Sequence, residues 1–127
     1  MYTKVYNLEK YGFSMNWFMS WDMYTCAANH LKFKMYDESC EDFPYVDASH
    51  ESGDPQLTGA ASGSGFIKGK GLKLEISSET DVKFVALHHP IGGSPRKGAC
   101  FTLCGEDSDD NDYNDVMICI WCFGSDD

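Results

Sequence analysis

One stretch of the chain is the most informative about its fold. It is Glu106-Asp107-Ser108-Asp109-Asp110-Asn111-Asp112-Tyr113-Asn114-Asp115, and it leads directly into Val116-Met117-Ile118-Cys119-Ile120-Trp121. This acidic run holds six carboxylates in ten residues and contains no Lys or Arg. Carboxylates so close together raise one another's pKa unless a positive charge lies between them. Calcium supplies such a charge and takes about six to eight oxygen ligands from carboxylates, amides and backbone carbonyls. The run therefore predicts a calcium site, with an ordinary solvated acidic loop as the alternative.

The EF-hand is the first calcium motif to compare with the run, and the sequence does not fit it. Asp110, Asp112 and Asn114 would occupy its first three ligand positions. Asp115 then stands where the EF-hand needs Gly, and Trp121 stands where it needs a bidentate Glu. The residues after Asp115 are apolar, β-branched and aromatic, a composition that predicts a buried strand rather than a helix.

Over the ten gapless positions from Glu106 to Asp115, followed by an apolar strand, the chain resembles the calcium loop of the soluble bacterial lectins that bind fucose and mannose. The resemblance implies a small β-sandwich in which two adjacent calcium ions coordinate sugar hydroxyls directly. It also implies a role for each matching residue: Glu106, Asp110, Asp112 and Asp115 hold one ion, Asp112, Asn114 and Asp115 hold the other, and Asp107 accepts a hydrogen bond from the sugar.

The resemblance further implies an early loop whose backbone carbonyl completes one calcium site and whose next residues tune the choice of sugar. We expect this loop at residues 18–23, after a strand over residues 12–19. Ser20 would then supply the carbonyl, and Trp21 and Asp22 would occupy the specificity positions. The alternative for Trp21 is the core, because aromatic residues at strand ends more often pack there than bind ligands.

In the lectins that the run resembles, the chain ends on a Gly whose carboxylate reaches a calcium ion of the partner subunit. This chain continues past Gly124 through Ser125-Asp126-Asp127. Whether Asp126 or Asp127 takes the place of that carboxylate stays open at this point. We therefore expect a homo-oligomer whose size the sequence does not specify.

Length and charge narrow the classes of protein and partner. With 127 residues the chain predicts one domain, residues 1–127. A net charge of −10 disfavours nucleic acid and anionic membranes, since both attract basic surfaces. The sequence has no apolar stretch long enough to cross a bilayer, and its start has no apolar segment of the signal-peptide type. We expect synthesis in the cytoplasm, with non-classical release left open.

Apolar and polar residues alternate with a period of two in three segments. The inward positions are Leu31, Phe33 and Met35 in the first, Leu72, Leu74 and Ile76 in the second, and Val82, Phe84 and Ala86 in the third. Turn-rich segments at 47–55, 59–65 and 90–98 separate such stretches, and no sustained helical period occurs. These patterns predict an all-β fold, an antiparallel β-sandwich.

The six cysteines include one Cys-x-x-x-Cys pair, Cys100 and Cys104, and one Cys-x-x-Cys pair, Cys119 and Cys122. Residues three apart in a strand point to opposite faces, so Cys119 and Cys122 make a poor zinc pair. Cys100 and Cys104 share a face but stand about 13 Å apart in an extended strand, too far for a disulfide. We expect free, mostly buried thiols, with zinc or disulfides formed after export as alternatives.

Three functions from different classes follow from these observations. The favoured one is a calcium-dependent lectin that binds fucose- or mannose-type glycans and carries out no catalysis. The second is a structural or assembly protein in which calcium only stiffens the last loop and strand. The third is a hydrolase with a carboxylate pair, which the run disfavours because acid–base catalysis needs two carboxylates with separated pKa values rather than six crowded ones.

Overall fold

A computed structural model describes residues 1–25, 30–50, 61–92, 97–106 and 116–124, together with the backbone of residues 57–58. The described part of the chain contains ten strands and one short 3-10 helix, Leu8–Tyr11. The strands are β1 Tyr2–Asn7, β2 Phe18–Thr25, β3 Leu31–Tyr36, β4 Val46–His50, β5 Leu57–Thr58, β6 Ser62–Phe66, β7 Lys73–Ser78, β8 Lys83–Ile91, β9 Gly98–Glu106 and β10 Val116–Phe123. The predicted all-β fold is confirmed.

The strands form two antiparallel sheets that face each other. Sheet I has the order β1-β7-β3-β4-β5, and sheet II has the order β6-β2-β10-β9-β8. Every pairing in both sheets is antiparallel. The prediction of an antiparallel β-sandwich is therefore confirmed in its architecture.

The core lies between the two sheets and is built from the alternate residues of each strand. Sheet I contributes Leu31, Phe33 and Met35 of β3, each fully buried, opposite Leu74 and Ile76 of β7. In sheet II the inward side chains of β2, β9 and β10 are buried in the same way: Met19, Trp21, Met23, Ala99, Phe101, Leu103, Val116, Ile118, Ile120 and Cys122. Burial of a large aliphatic or aromatic side chain stabilises the fold by about 1.5–3 kcal/mol, so this layer is the main source of stability.

The structure corrects the prediction for the first long strand. We expected a strand at residues 12–19 and a loop at residues 18–23, and both bounds are wrong. β2 begins at Phe18 and continues to Thr25, with Met19, Trp21 and Met23 turned inward. The resemblance placed a loop here, whereas Ser20 and Asp22 occupy outward positions in the middle of a strand.

The sandwich has two distinct ends. β7 ends at Ser78 and β8 begins at Lys83, which pairs with Glu106, so the turn between them lies at the same end as the acidic run. We call this the loop end. β3 ends at Tyr36, opposite Lys73 at the start of β7, which places the residues after Tyr36 at the other end, the far end. Within the described residues, no helix has the length and apolarity that a membrane span requires.

Candidate functional site

The acidic run connects β9 to β10, and β10 is the central strand of sheet II. Val116 at the start of β10 pairs with Gly105 on one side and with Thr25 on the other. The two strands that flank the run are thus neighbours in the inner part of sheet II. Asp107, Asp110, Asp112, Asn114 and Asp115 lie outside the described residues.

Glu106 is the one predicted calcium ligand of the run that the structure describes. It is the last residue of β9 and only 1% exposed, and it pairs in register with Lys83. Acidic side chains are rarely buried to this degree unless other groups compensate their charge. The carboxylate therefore occupies a protected position at the base of the run.

Buried polar side chains concentrate at the loop end. The described residues include five buried polar or charged side chains, and four of them lie at strand termini on this end: Thr25, His50, Ser78 and Glu106. The inward positions of the remaining strand residues are almost entirely apolar. The interior thus changes from apolar to polar as it approaches the acidic run.

Ser20, Trp21 and Asp22 lie along β2, three to five residues before its end at Thr25, the residue that pairs with Val116. Ser20 pairs with Trp121 and stands five residues from Thr25, a distance of about 16 Å along the strand. Trp21 is 6% exposed and packs in the core, where its ring lies directly against Gly63: a Cβ added there would be 2.6 Å from Trp21 Cζ2.

Asp22 lies on the outer face of sheet II rather than at a strand terminus. Its carboxylate accepts a hydrogen bond from the Ser62 hydroxyl at 2.6 Å. Three residues separate it from Thr25, about 10 Å along β2. Its local partner is a serine of the edge strand, and the register does not align it with Glu106.

Thr25, which was not among the predicted site residues, is buried at the end of the strand next to β10. It ends β2, is 4% exposed, and lies beside Val116 at the base of the run. The alternation of Met19, Trp21 and Met23 continues to Thr25 and was the signal that could have placed it. The segment after Thr25, residues 26–29, lies outside the described residues.

At the far end, the buried carboxylate of Asp37 is satisfied by hydrogen-bond donors from the chain itself. Its oxygens accept hydrogen bonds from Ser39 N at 2.7 Å, Gly69 N at 3.1 Å and the hydroxyls of Ser39 and Tyr45, with the Cys40 thiol at 3.7 Å. Burial alone would raise the pKa of Asp37, but these hydrogen bonds outweigh it and hold the pKa below its usual value. Burial, and then the bond to Asp37, raise the pKa of Tyr45 to about 12.

The C-terminal strand also ends at the far end. Gly124 follows β10, and its N–H donates to the Lys97 carbonyl at 2.9 Å. The residues after it, Ser125 to Asp127, lie outside the described residues. Within one copy of the chain, Gly124 and the acidic run are therefore separated by the length of β10, eight residues or about 26 Å.

The expectation of free thiols is confirmed for four described cysteines, but the expectation that the thiols are mostly buried is wrong, because Cys40, Cys100 and Cys104 are half-buried and Cys119 is exposed. Cys40, Cys100, Cys104 and Cys119 are free, and Cys122 is buried in the core. Cys119 is exposed on the outer face of sheet II, so Cys119 and Cys122 point in opposite directions as predicted. Cys26 lies outside the described residues. Within the described ranges, no three His, Cys, Asp or Glu side chains are grouped closely enough to hold a metal ion.

No protein-family model and no curated protein sequence matches the chain. Solved structures do match its fold. The C-terminal domain of the lectin BC2L-C from Burkholderia cenocepacia is similar over 98% of this chain and 97% of that one, with a TM-score of 0.61 and 16% sequence identity.

Two further bacterial lectins share the architecture. The lectin CV2L of Chromobacterium violaceum, solved in complex with alpha-methyl-fucoside, matches 92% of this chain and 93% of its own, with a TM-score of 0.58 and 16% identity. The high-affinity mannose-binding lectin of Ralstonia solanacearum matches the same shares, with a TM-score of 0.59 and 19% identity. The predicted resemblance to fucose- and mannose-binding bacterial lectins is thus confirmed as a likeness of fold.

Proposed function

We propose that this protein is a calcium-dependent lectin whose sugar site is formed by the acidic run. The observation that carries the proposal is positional: the run that matches the lectin calcium loop joins the two inner strands β9 and β10 of a sandwich whose fold is shared with three sugar-binding lectins.

The chemistry of the donor set fits calcium. The run offers carboxylate and amide oxygens, which are hard ligands that calcium prefers, and it offers no thiol or imidazole. Glu106 is already held in a buried position at the base of the run. In our proposal Glu106, Asp110, Asp112 and Asp115 hold one ion, and Asp112, Asn114 and Asp115 hold a second.

Thr25 replaces Ser20 in the proposed site. The early backbone carbonyl should come from the strand that adjoins the run, and Thr25 is the described residue of β2 that pairs with Val116. Ser20, Trp21 and Asp22 are left out, because the register places them along the middle of β2 and Trp21 is buried in the core.

Bound calcium would supply two things: neutralisation of the crowded carboxylates and a strong field that coordinates sugar hydroxyls in place of water. The chain would supply the rest. Strands β9 and β10 fix the two ends of the run, which lowers the entropic cost of ordering it around a ligand. Asp107, next to the anchored Glu106, would accept a hydrogen bond from a sugar hydroxyl and so orient the ring. The proposed function is binding, without a chemical step.

One alternative retains calcium but not the sugar. Because Gly105 and Val116 are paired at the base of the run, a cation bound there would brace the two central strands of sheet II even without a ligand. A calcium-stabilised structural protein would therefore show the same response to a chelator and no glycan binding.

Affinity chromatography tests the proposal directly. The protein should be retained on immobilised fucose or mannose in calcium buffer and released by a chelator. The Asp107→Ala variant should be retained less, whereas Asp42→Ala, which removes an exposed carboxylate elsewhere, should behave as wild type. Flow-through of a folded, calcium-responsive protein on both resins and on a broad glycan array would contradict the sugar role and favour the structural alternative.

A further inference from the structure

The outer face of sheet II concentrates sulfur. Four of the outward side chains of its neighbouring strands β9 and β10 contain a sulfur atom: Cys100, Cys104, Met117 and Cys119. The three cysteines are free thiols. Thiolates and thioethers are soft ligands that select soft metal ions rather than calcium. The sulfur atoms of this face therefore belong to a different chemistry from the oxygens of the acidic run.

Two of these thiols, Cys100 and Cys119, are brought close together by the strand register. Cys119 pairs with Thr102 and Cys100 pairs with Trp121, so the two cysteines are diagonal neighbours on one face. The Thr102 hydroxyl oxygen lies 4.0 Å from the Cys100 sulfur. Partial burial raises the pKa of the Cys119 thiol, the Cys100 thiol raises it further, and the Thr102 hydroxyl lowers it. The two thiols and the hydroxyl thus form one interacting group.

The diagonal arrangement of the two cysteines is too wide for a disulfide and suits a bridging metal ion. Diagonal neighbours lie about 7–8 Å apart, with somewhat less between their β-carbons, whereas a disulfide requires about 3.5–4.5 Å between β-carbons. An ion held in line between two thiolates separates the sulfur atoms by about 4.6 Å, twice a metal–sulfur distance of about 2.3 Å. Two cysteine side chains that lean toward each other across the diagonal match this span.

The surroundings of the pair favour a cation. Asp22 of β2 pairs in register with Cys119, and strands β2, β9 and β10 contain no Lys or Arg. A cavity of about 140 Å³, with Asp22, Met117 and Cys119 among its lining residues, leaves space beside the thiol. The position therefore combines negative charge, soft ligands and room for an ion.

The remainder of this outer face is apolar. Eight large hydrophobic side chains project from it with between 43% and 64% of their surface exposed: Tyr24, Phe66, Val85, Leu87, Ile91, Met117, Trp121 and Phe123. Among these eight, Tyr24 alone carries a side-chain oxygen, so they offer almost nothing to hard ions, which need several oxygen ligands. The thiol pair is thus placed where a soft ion has the advantage.

We propose that Cys100 and Cys119 form a two-coordinate site for a soft monovalent cation, Cu⁺. Binding breaks both S–H bonds, releases two protons to solvent and forms two Cu–S bonds, without electron transfer. No third His, Cys, Asp or Glu side chain in the described part of the chain stands close enough to complete a larger site. Cu⁺ is stable between two thiolates, whereas structural zinc takes four ligands. The site is separate from the calcium and sugar binding proposed for the acidic run.

Competition with a coloured copper(I) chelator under anaerobic conditions tests the proposal on the reduced, calcium-saturated protein. Wild type should take up one Cu⁺ per chain, counted by native mass spectrometry, and should bind Zn²⁺ more weakly. Cys100→Ser and Cys119→Ser should each weaken Cu⁺ binding at least 100-fold, because even an outer-shell partner of a metal ligand is worth about 10–100-fold. Circular dichroism checks that each variant is folded, and the corresponding Ala variants replace a Ser variant that is not.

The matched controls are Cys40→Ser and Cys104→Ser. The first removes a half-buried thiol at the far end, and the second removes the other diagonal neighbour of Cys119. Both should bind Cu⁺ as wild type does. Unchanged affinity in Cys100→Ser or Cys119→Ser would overturn the proposal, as would an equal loss in either control. A wild-type mass lower by two hydrogens, without metal, would show a disulfide instead and would also overturn it.

Discussion

The two ends of the sandwich handle negative charge in different ways. At the far end, Asp37 is 4% exposed and receives hydrogen bonds from backbone and hydroxyl donors of residues 39, 45 and 69. At the loop end, six carboxylates follow one another within ten residues, with no Lys or Arg among them.

The far end therefore needs nothing from outside the chain, because local donors satisfy its carboxylate. The acidic run at the loop end carries six carboxylates and no Lys or Arg of its own, and crowded carboxylates destabilise one another. In the proposed function a calcium ion compensates this charge, so the two ends should respond differently to a chelator.

Removal of calcium should cause the largest loss of stability, and this loss should originate at the loop end. With calcium at about 1,000 times its dissociation constant, binding to the native state alone adds about 4 kcal/mol. A chelator should therefore lower the melting temperature substantially, and Asp112→Ala, which removes the proposed bridging ligand, should abolish this response. The measurement is a thermal melt by circular dichroism with and without calcium.

The control for this experiment is the far end: Asp37→Asn should keep the full calcium response. A wild type whose melting temperature is the same in calcium and in chelator would contradict the calcium site altogether.

Loss of the clamp at the far end should be the next largest effect. Asp37→Ala leaves the donors of Ser39, Tyr45 and Gly69 without their acceptor, at a cost of roughly 3 kcal/mol for this buried group. Urea denaturation in the presence and absence of calcium should give the same loss. Tyr45→Phe, which removes one donor and keeps the ring, should cost less. A loss that depends on calcium would show that the two ends are coupled and would contradict their independence.

A smaller effect concerns pH. The pKa of Asp37 is lowered in the folded protein, so its contribution to stability is fully present above the ordinary aspartate pKa near 3.9 and disappears as the pH falls through the lowered value. The pKa of Tyr45 is raised to about 12, so its contribution is present below about 10 and disappears as the pH rises through 12. The stability difference between wild type and Asp37→Asn, measured from pH 6 down to pH 2, should therefore shrink in acid. A difference that is constant with pH would mean that ionisation of Asp37 does not stabilise the clamp.

The smallest expected effect on stability is at Asp107. If this residue contacts sugar and not calcium, Asp107→Ala should weaken glycan binding about tenfold, the order of one charge-assisted hydrogen bond. The calcium-dependent melt should stay nearly unchanged. Isothermal titration with the monosaccharide and the thermal melt together provide the two readouts. Equal loss in both would mean that Asp107 is a metal ligand.

Local pattern explains why part of the molecule was predictable. The alternation in Leu31-Lys32-Phe33-Lys34-Met35 has a period that only a strand with one buried face satisfies, and β3 follows it residue by residue. The apolar run Val116-Met117-Ile118-Cys119-Ile120-Trp121 likewise predicted a strand after the acidic run, and β10 occupies these positions.

The early loop shows where local pattern is insufficient. The loop at residues 18–23 was predicted from the resemblance alone, over a segment that carries no motif of its own. The position of Ser20 became clear from its cross-strand partners, Trp121 and Ser64, which are about 100 and 40 residues away. The same holds for Thr25, since only the pairing with Val116 places it beside the run.

By itself, the sequence determined the all-β class, the strands with strict alternation and the acidic run with its calcium-type ligands. These features are properties of residues close together in the chain, where spacing alone fixes which side chains share a face. Only the tertiary structure decided that Trp21 is core, that Thr25 and Glu106 lie at the same end of sheet II, and that eight apolar side chains form one exposed face. Those facts depend on which strands become neighbours, and strand order is set by packing across the whole chain.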